Sequence, residues 1–455
     1  MLRVNEIAKA TKSSLIRKSG HNLINGVSTD SRTLKKNDIF FALRGDNFDG
    51  HNFINEAIKK GAAAVVISKQ IKINDKAKIN ILKVKDTTIA LGDLAGHYRC
   101  KNNIPLIAVT GSAGKTTAKD IIAAVLGKEY NVLKNLGTHN NHIGVPETLF
   151  KLNNRHNICV LELGTNHFGE ISYLSKIAMP QVAVITNIGP SHLEFFKDLD
   201  GVFKEKKNII KHLAGAKIVL LNGDDVFLRK MKLPQQFKVF YFGKESPCDF
   251  MASGITTENN NVKFVFNKKH KFCLPTLGRF HVYNALAAIG CGLIFGVGTE
   301  KIKAALEDFQ FLSRRLSKID CSDFSILDDT YNSNPLSLEK AVETLTGFKT
   351  SGRRILVMGD MLELGSRSQE LHRQMGSFVA HMPIDIFITL GKFSKFAADT
   401  AKSESKIGRG IYNFDSKADL IDFLRKKIKS GDIILIKGSR LMQMEDIVSS
   451  LTKVK

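Results

Sequence analysis

The stretch 109-VTGSAGKTTAKD-120 decides the fold. It lies inside 102-NNIPLIAVTGSAGKTTAKDIIAAVLGKEY-130, where an apolar run gives way to a glycine turn and then to an amphipathic helix. The turn reads G-x-x-G-K-T, a shortened relative of the phosphate loop whose backbone N–H groups and helix N-terminus cradle a nucleotide. Around Gly111 to Lys115 those N–H groups can point at phosphate oxygens, and Lys115 can reach the terminal phosphates. The Thr116 hydroxyl suits Mg2+. With Thr110, Gly111, Ser112, Ala113, Gly114 and Thr117, these are the expected nucleotide contacts.

Outward from the loop, 158-ICVLELG-164, 181-QVAVITNIG-189 and 217-KIVLLNGDD-225 are continuous apolar runs, the pattern of parallel strands covered on both faces. A central doubly wound α/β domain over 85–312 is predicted. Before it, 35-KKNDIFFALRG-45 and 61-GAAAVVIS-68 flank the helical 56-EAIKK-60, which predicts a small α/β domain over 1–84 with no nucleotide fingerprint. After it the strand and helix style repeats through 324-FSILDDTYN-332, 353-RRILVMGD-360, 385-DIFITLG-391 and 432-DIILIKGS-439, predicting a Rossmann-like domain over 313–455. The fold class is therefore three-domain α/β.

Composition excludes several classes. At 455 residues, 43% hydrophobic and 24% charged, the chain should fold throughout. The run from Ala285, ALAAIGCGLIFGVG, carries four glycines and is too short to span a bilayer, so a buried helix is expected and membrane insertion is not. The start lacks the features of a secretory signal, which predicts a cytoplasmic protein. Cys100, Cys159, Cys248, Cys273, Cys291 and Cys321 form no C-x-x-C pair, so neither disulfides nor zinc are signalled. The net charge of +23 is spread as single and paired lysines, which favours solvated faces and an anionic small molecule over nucleic acid.

Ligands of open α/β sheets collect at the carboxyl ends of strands. Glu162 in 160-VLELGTNHFGEI-171 ends one predicted strand, His192 in 185-ITNIGPSHLEFF-196 follows the next, and the lysine-rich 201-GVFKEKKNII-210 comes after. Alone, a Glu or His there is an ordinary cap or surface residue. Their shared location favours metal binding.

These runs, with 277-LGRFHVYNALAA-288, 327-LDDTYNSNP-335, 358-MGDMLELG-365 and 435-LIKGSRLMQMED-446, resemble the Mur ligases in order and spacing, as does 26-GVSTDSRTLKKNDIFFALRG-45. The resemblance spans nearly the whole chain and is nearest to the branch that joins D-alanyl-D-alanine to UDP-N-acetylmuramoyl-tripeptide. It implies a monomeric ATP-dependent amide ligase with two Mg2+ sites, acting on those small molecules. A folylpolyglutamate synthase would share the phosphate loop without the first-domain motif, another Mur ligase adding a single amino acid would differ in the third domain at 437-KGSRLMQME-445, and a nucleic-acid-binding phosphate-loop protein would use the positive charge directly.

The resemblance also implies roles. Lys115 and Thr116 match the ATP phosphate and Mg2+ ligands, and Glu162 and His192 the two metal sites. Lys206 matches a carbamylated lysine bridging to the second Mg2+, with Lys204 and Lys207 leaving the register open. Asn284 matches an adenine contact, Arg315 the arginine swung onto the terminal phosphate, and Asp329 the same interdomain site. Ser31, Arg32, Asn140, Asn141, Asn332, Lys437, Ser439 and Arg440 are substrate candidates. The run Lys437 to Arg440 is either a set of donors for a substrate carboxylate or an exposed basic turn. Two departures stand out. Ser313 and Arg314 replace the usual Pro-Gly, making Arg314 a rival of Arg315, and Gly137-Thr138 replaces Gly-Asn before the paired asparagines.

Overall fold

Three mixed sheets stand in chain order in the computed structural model, which describes residues 2–45, 48–74, 77–245, 247–405 and 410–452. The first has five strands in the order Ser14–Arg17, Asn80–Lys83, Ala64–Ile67, Ile39–Phe41 and Val27–Ser28, parallel except at the outer Ser14–Arg17 pair. The helix Thr87–Lys101 ties it to the next domain: Ala90, Leu91 and Leu94 pack into the first core, and Ala95 into the central one.

The central sheet runs Val132–Lys134, Ile158–Glu162, Leu106–Thr110, Val182–Ile185, Ile218–Asn222, Lys238–Gly243 and Phe250–Glu258, all parallel. Register fixes the site. Val109 pairs with Glu162 on one side and Val184 on the other, so the phosphate loop emerges between the ends that carry Glu162 and the segment leading to His192. One face is covered by the helix Lys115–Leu126 against His281–Ile294, the expected buried helix, with Ile121, Val125, Leu286 and Ile289 at 1% exposure or less. Each such side chain contributes roughly 1.5–3 kcal/mol relative to exposure. Among the described residues no helix is long and apolar enough to cross a membrane.

Beyond the parallel part, Phe250–Glu258, Asn261–Phe266 and His270–Leu274 form an antiparallel extension that the doubly wound expectation lacked. Its first turn is the two residues Asn259 and Asn260, with φ of +49° and +62°, a conformation asparagine tolerates.

The third sheet is ordered Ser317–Asp320, Ser325–Asp329, Ile433–Lys437, Arg354–Gly359, Ile386–Leu390 and Gly410–Phe414, parallel after its first pair. It is docked on the central domain. Ile188, Leu193 and Phe196 share one apolar cluster with Leu338, Met361 and Leu364, and the Leu336 side chain abuts Gly189.

Candidate active site

Glycine is required twice in the phosphate loop. Gly111 has φ +150°, and a Cβ there would lie 1.9 Å from Thr186 Oγ1; Gly114 has φ +78°, and its Cβ would lie 2.8 Å from Asn284 Oδ1. The loop is braced from the neighbouring strand end, since Asn187 Oδ1 accepts from Ala113 N at 2.9 Å and Thr186 Oγ1 donates to Ala113 O at 2.6 Å. Ser112 Oγ donates to Gly189 O at 2.9 Å, while Thr116 and Thr117 start the buried helix. Lys115 Nζ folds back to donate to Gly111 O at 2.9 Å, and burial lowers its pKa against the opposing pull of Glu162.

A cleft of about 1200 Å³ opens over this loop and is lined by the central and third domains and by the start of the connecting helix Thr87–Lys101, including Ile89, Lys115, Glu162, Asn284, Arg315 and Lys437. Glu162 is 1% exposed. Its Oε1 accepts from Asn140 Nδ2 at 2.6 Å, and its Oε2 is buried without a hydrogen-bond partner. Asn135 grips the same residue from below: its Oδ1 accepts from Glu162 N at 2.9 Å and its Nδ2 donates to Glu162 O at 3.0 Å. A carboxylate so held, with one oxygen left unpartnered in the cleft that Thr116 also lines, fits Mg2+, which takes one or two protein oxygens and completes its shell from phosphates and water. No three His, Cys, Asp or Glu converge on one point among the described residues, so an all-protein cage is not offered.

His192 lies at φ +52°, and its Nδ1 makes an ion-pair contact of 2.6 Å with Glu363 Oε2 of the third domain that falls outside hydrogen-bond geometry and leaves Nδ1 buried without a hydrogen-bond partner; the imidazole beside it lowers the carboxyl's pKa. On the helix Leu199–Lys207, Lys206 is 1% exposed whereas Lys204 is exposed and Lys207 half-buried, with its ammonium 5.9 Å from the Phe203 ring centroid. Burial drives the Lys206 pKa well down and Lys115 pushes the same way, against Glu205. Glu205 itself caps the helix Glu170–Ala178, accepting from Gly169 N at 2.8 Å and Ile171 N at 2.7 Å.

From the third domain, Arg315 donates to Thr116 Oγ1 at 3.1 Å. Arg314 turns the other way, to Glu445 Oε1 at 2.9 Å, because its backbone stands at φ +63° in the left-handed region. Asp329 is bound by Lys437 at 2.6 Å; burial raises the carboxyl's pKa and Lys437 opposes the rise. Lys437, 2% exposed, also donates to Asn332 O at 2.9 Å, so it is not part of an exposed basic turn. Its charge is already matched. Ser439 is also buried, accepting from Leu362 N at 2.8 Å, and only Arg440 is exposed, paired with Glu445 at 2.5 Å. Asn284 is buried and bonded to His281 at 3.1 Å, whose Nε2 is buried without a partner and whose pKa burial holds down to about 3.

Other sequence candidates lie apart or serve locally. Asn141 Oδ1 accepts from Gly144 N at 2.9 Å and caps its own turn, although it lines the cleft. Ser31 and Arg32 do not line the cleft; Arg32 forks onto Asp30 at 2.7 Å on the first domain's surface. Asn135, Glu205, His281 and Glu363 were not singled out in the sequence. Asn135, Glu205 and Glu363 act through partners tens of residues away, which no local motif displays, while His281 meets Asn284 one helical turn on.

Three α/β domains closing on a phosphate loop define a class of ATP-dependent ligase, and the family models agree. "Mur ligase family, catalytic domain" matches residues 23–99, "Mur ligase middle domain" 109–292, and "Mur ligase, glutamate ligase domain" 314–440. The chain belongs to the Mur ligase family. More particularly, it is 35% identical to the UDP-N-acetylmuramoyl-tripeptide–D-alanyl-D-alanine ligase of Bacillus subtilis over 98% of both chains. Among solved structures it resembles MurF from Acinetobacter baumannii, with TM-score 0.91 and 31% identity over 100% of this chain and 99% of that one. MurF ligase from Thermotoga maritima in complex with ADP gives 0.84 and 28%, over 94% and 97%.

Proposed function

We propose that the chain joins the amine of D-alanyl-D-alanine to the terminal carboxylate of UDP-N-acetylmuramoyl-tripeptide, with ATP cleaved to ADP and phosphate, in peptidoglycan synthesis. The observation that carries this reading is the reach of Arg315 from the third domain onto Thr116 at the phosphate loop, 3.1 Å away, over a cleft shared by the central and third domains. Full-length relatedness to ligases of that name supports the substrates.

A carboxylate does not condense with an amine directly, because oxide is a poor leaving group. Transfer of the terminal phosphate to it gives an acyl phosphate, which the amine attacks; a tetrahedral intermediate then collapses to amide and phosphate. Such a transfer needs positioning and charge neutralisation from the protein more than covalent help. The loop N–H groups and Lys115 hold the terminal phosphates, and Arg315 meets the charge that develops on the transferred group. Thr116 and the open oxygen of Glu162 would hold one Mg2+, and His192 with Lys206 a second. Bound there, Mg2+ would neutralise phosphate charge and orient the reacting oxygens. Burial favours the neutral Lys206 amine, the form that adds CO2 to give a carbamate anion and one proton.

ADP release measured with each candidate nucleotide-tripeptide and amino donor tests the reading. Release should need both the tripeptide and D-alanyl-D-alanine and ignore RNA and DNA. Turnover with a single amino acid in place of the dipeptide would overturn it.

A further inference from the structure

Two residues in the left-handed backbone region face each other across the boundary between the central and third domains. His192 has φ +52° and Glu363 φ +63°, and neither is glycine, asparagine or aspartate. Such conformations cost about 1 kcal/mol or more each and persist only where the surroundings enforce them. Here the surroundings are specific. The loop that bears Glu363 is pinned where Met361 N donates to His372 Nε2 at 3.0 Å and Leu362 N donates to Ser439 Oγ at 2.8 Å. It sits on the turn that bears His192: Glu194 N donates to Glu363 O at 3.2 Å, and Gly365 leaves no room for a Cβ, which would come 2.8 Å from Glu194 Cα.

The outcome is an ion-pair contact of His192 Nδ1 with Glu363 Oε2 at 2.6 Å, set outside hydrogen-bond geometry, while His192 Nε2 has no hydrogen bond among the described residues and the imidazole lines the cleft. A half-exposed ion pair of this kind adds little to stability. Stability therefore does not account for the strain at both ends. A carboxylate charge this close to one imidazole nitrogen favours the proton on that nitrogen and leaves the other nitrogen's lone pair for a metal. We propose that Glu363 is a positioning residue for the second metal site, supplied in trans by the third domain, so that His192 Nε2 becomes a competent ligand only when that domain is docked. Domain closure then does two things at once: it brings Arg315 to Thr116 and it aims His192. The proposal rests on the reading of His192 as a metal ligand.

The test is Mn2+ binding to the full-length chain with a non-hydrolysable ATP analogue, followed by electron paramagnetic resonance, which needs no turnover. His192→Ala should lose the weaker of two Mn2+ sites. Glu363→Ala should keep the tighter site and weaken the other by about 10–100-fold, the range for removing a carboxylate behind a metal-bound histidine. Glu363→Gln, which keeps the side-chain volume without the charge, should stay nearly as weak as Glu363→Ala with unchanged circular dichroism. Wild-type Mn2+ affinity in Glu363→Ala, with the site lost in His192→Ala, would overturn the proposal and leave the ligand reading intact. Two undisturbed sites in His192→Ala would overturn both. A Gln variant as tight as the wild type would also sink the role of the carboxylate charge.

Discussion

The guanidinium of Arg315 donates to Thr116 Oγ1 at 3.1 Å while lying 4.1 Å from the centroid of the Tyr331 ring, whose hydroxyl donates to Thr138 Oγ1 at 2.9 Å. The third domain thus presents a cation to the phosphate loop on an aromatic platform that is itself fastened to the central domain. A guanidinium stacked in this way is held in plane before any phosphate arrives.

Arg315→Ala should lower kcat by on the order of 10²–10³-fold, the usual loss for a donor that acts on transition-state charge. ADP affinity should change only a few-fold, because the loop and Lys115 remain. Arg315→Lys should recover little, since an ammonium cannot reproduce the planar stack. Arg314→Ala should stay within about threefold of wild type, its partner being the half-exposed pair with Glu445. Steady-state kinetics with calorimetric ADP titration separates the two arginines, and a larger loss at Arg314 would reverse their roles.

Gly111→Ala should weaken nucleotide binding at least about tenfold and destabilise the chain by about 1–3 kcal/mol, the range for overpacking a filled site. Its new methyl would fall 1.9 Å from Thr186 Oγ1. Adding Thr186→Ala removes that oxygen and should restore part of both losses, a non-additive result expected only of residues in contact. Full recovery is not expected, because alanine at φ +150° remains strained. Thermal melts and ADP titrations of the two singles and the double close the cycle, and simple additivity would rule out the clash.

How much of this was legible in the sequence depends on distance along the chain. The loop, its strand and its helix are one local pattern, and Glu162 and His192 show as strand-end residues within apolar runs. The choice of Lys206 over its neighbours is not local. It follows from which side of the helix Leu199–Lys207 meets the protein, leaving Lys204 in solvent. Lys437 illustrates the same limit: in KGSR it reads as a free donor, yet Asp329, a neighbour only through strand pairing, matches its charge. Arg314 and Arg315 could not be ordered by composition, because the backbone angle at Arg314 is what sends its side chain away. The antiparallel extension was more accessible, for Asn259-Asn260 between alternating residues is a hairpin signal.

Acid should loosen the seam between the first helix and Thr87–Lys101 early. Glu6 on Val4–Ala10 accepts from Lys101 at 2.7 Å and contacts His97 at 2.8 Å, and the Lys101 hydrogen bond, followed by His97, lowers its pKa from 4.5 to about 2. A carboxyl with a lower pKa folded than unfolded stabilises above pH 4.5 and loses that contribution as pH falls toward 2. Because the group is partly exposed the effect should be about 1 kcal/mol or less. Glu6→Gln should flatten the wild-type stability curve between pH 4.5 and about 2 in urea melts, and an unchanged slope would show that the pair does not persist in solution.

The last prediction concerns the buried amine. An unmodified ammonium at Lys206 would be buried, within electrostatic reach of Lys115 and with no hydrogen bond or ion pair of its own among the described residues, an arrangement that disfavours the charged form. A carbamate at the same place reverses the sign of the charge and becomes an attractive neighbour for both Lys115 and Mg2+. Lys206→Ala should therefore lose at least about 10²-fold in kcat, comparable to removing a donor that acts on transition-state charge. Acetate, small enough to enter the emptied space and carrying the missing anion, should restore part of the rate, whereas chloride at equal ionic strength should not. Lys204→Ala and Lys207→Ala, which alter side chains on exposed or half-buried faces, should stay within about twofold. Wild-type chain in ¹³C-bicarbonate should show a carbamate carbon resonance that Lys206→Ala lacks. A resonance that survives in Lys206→Ala and disappears in a neighbour's variant would move the modification to that neighbour. Full activity of Lys206→Ala would remove the lysine from the second metal site.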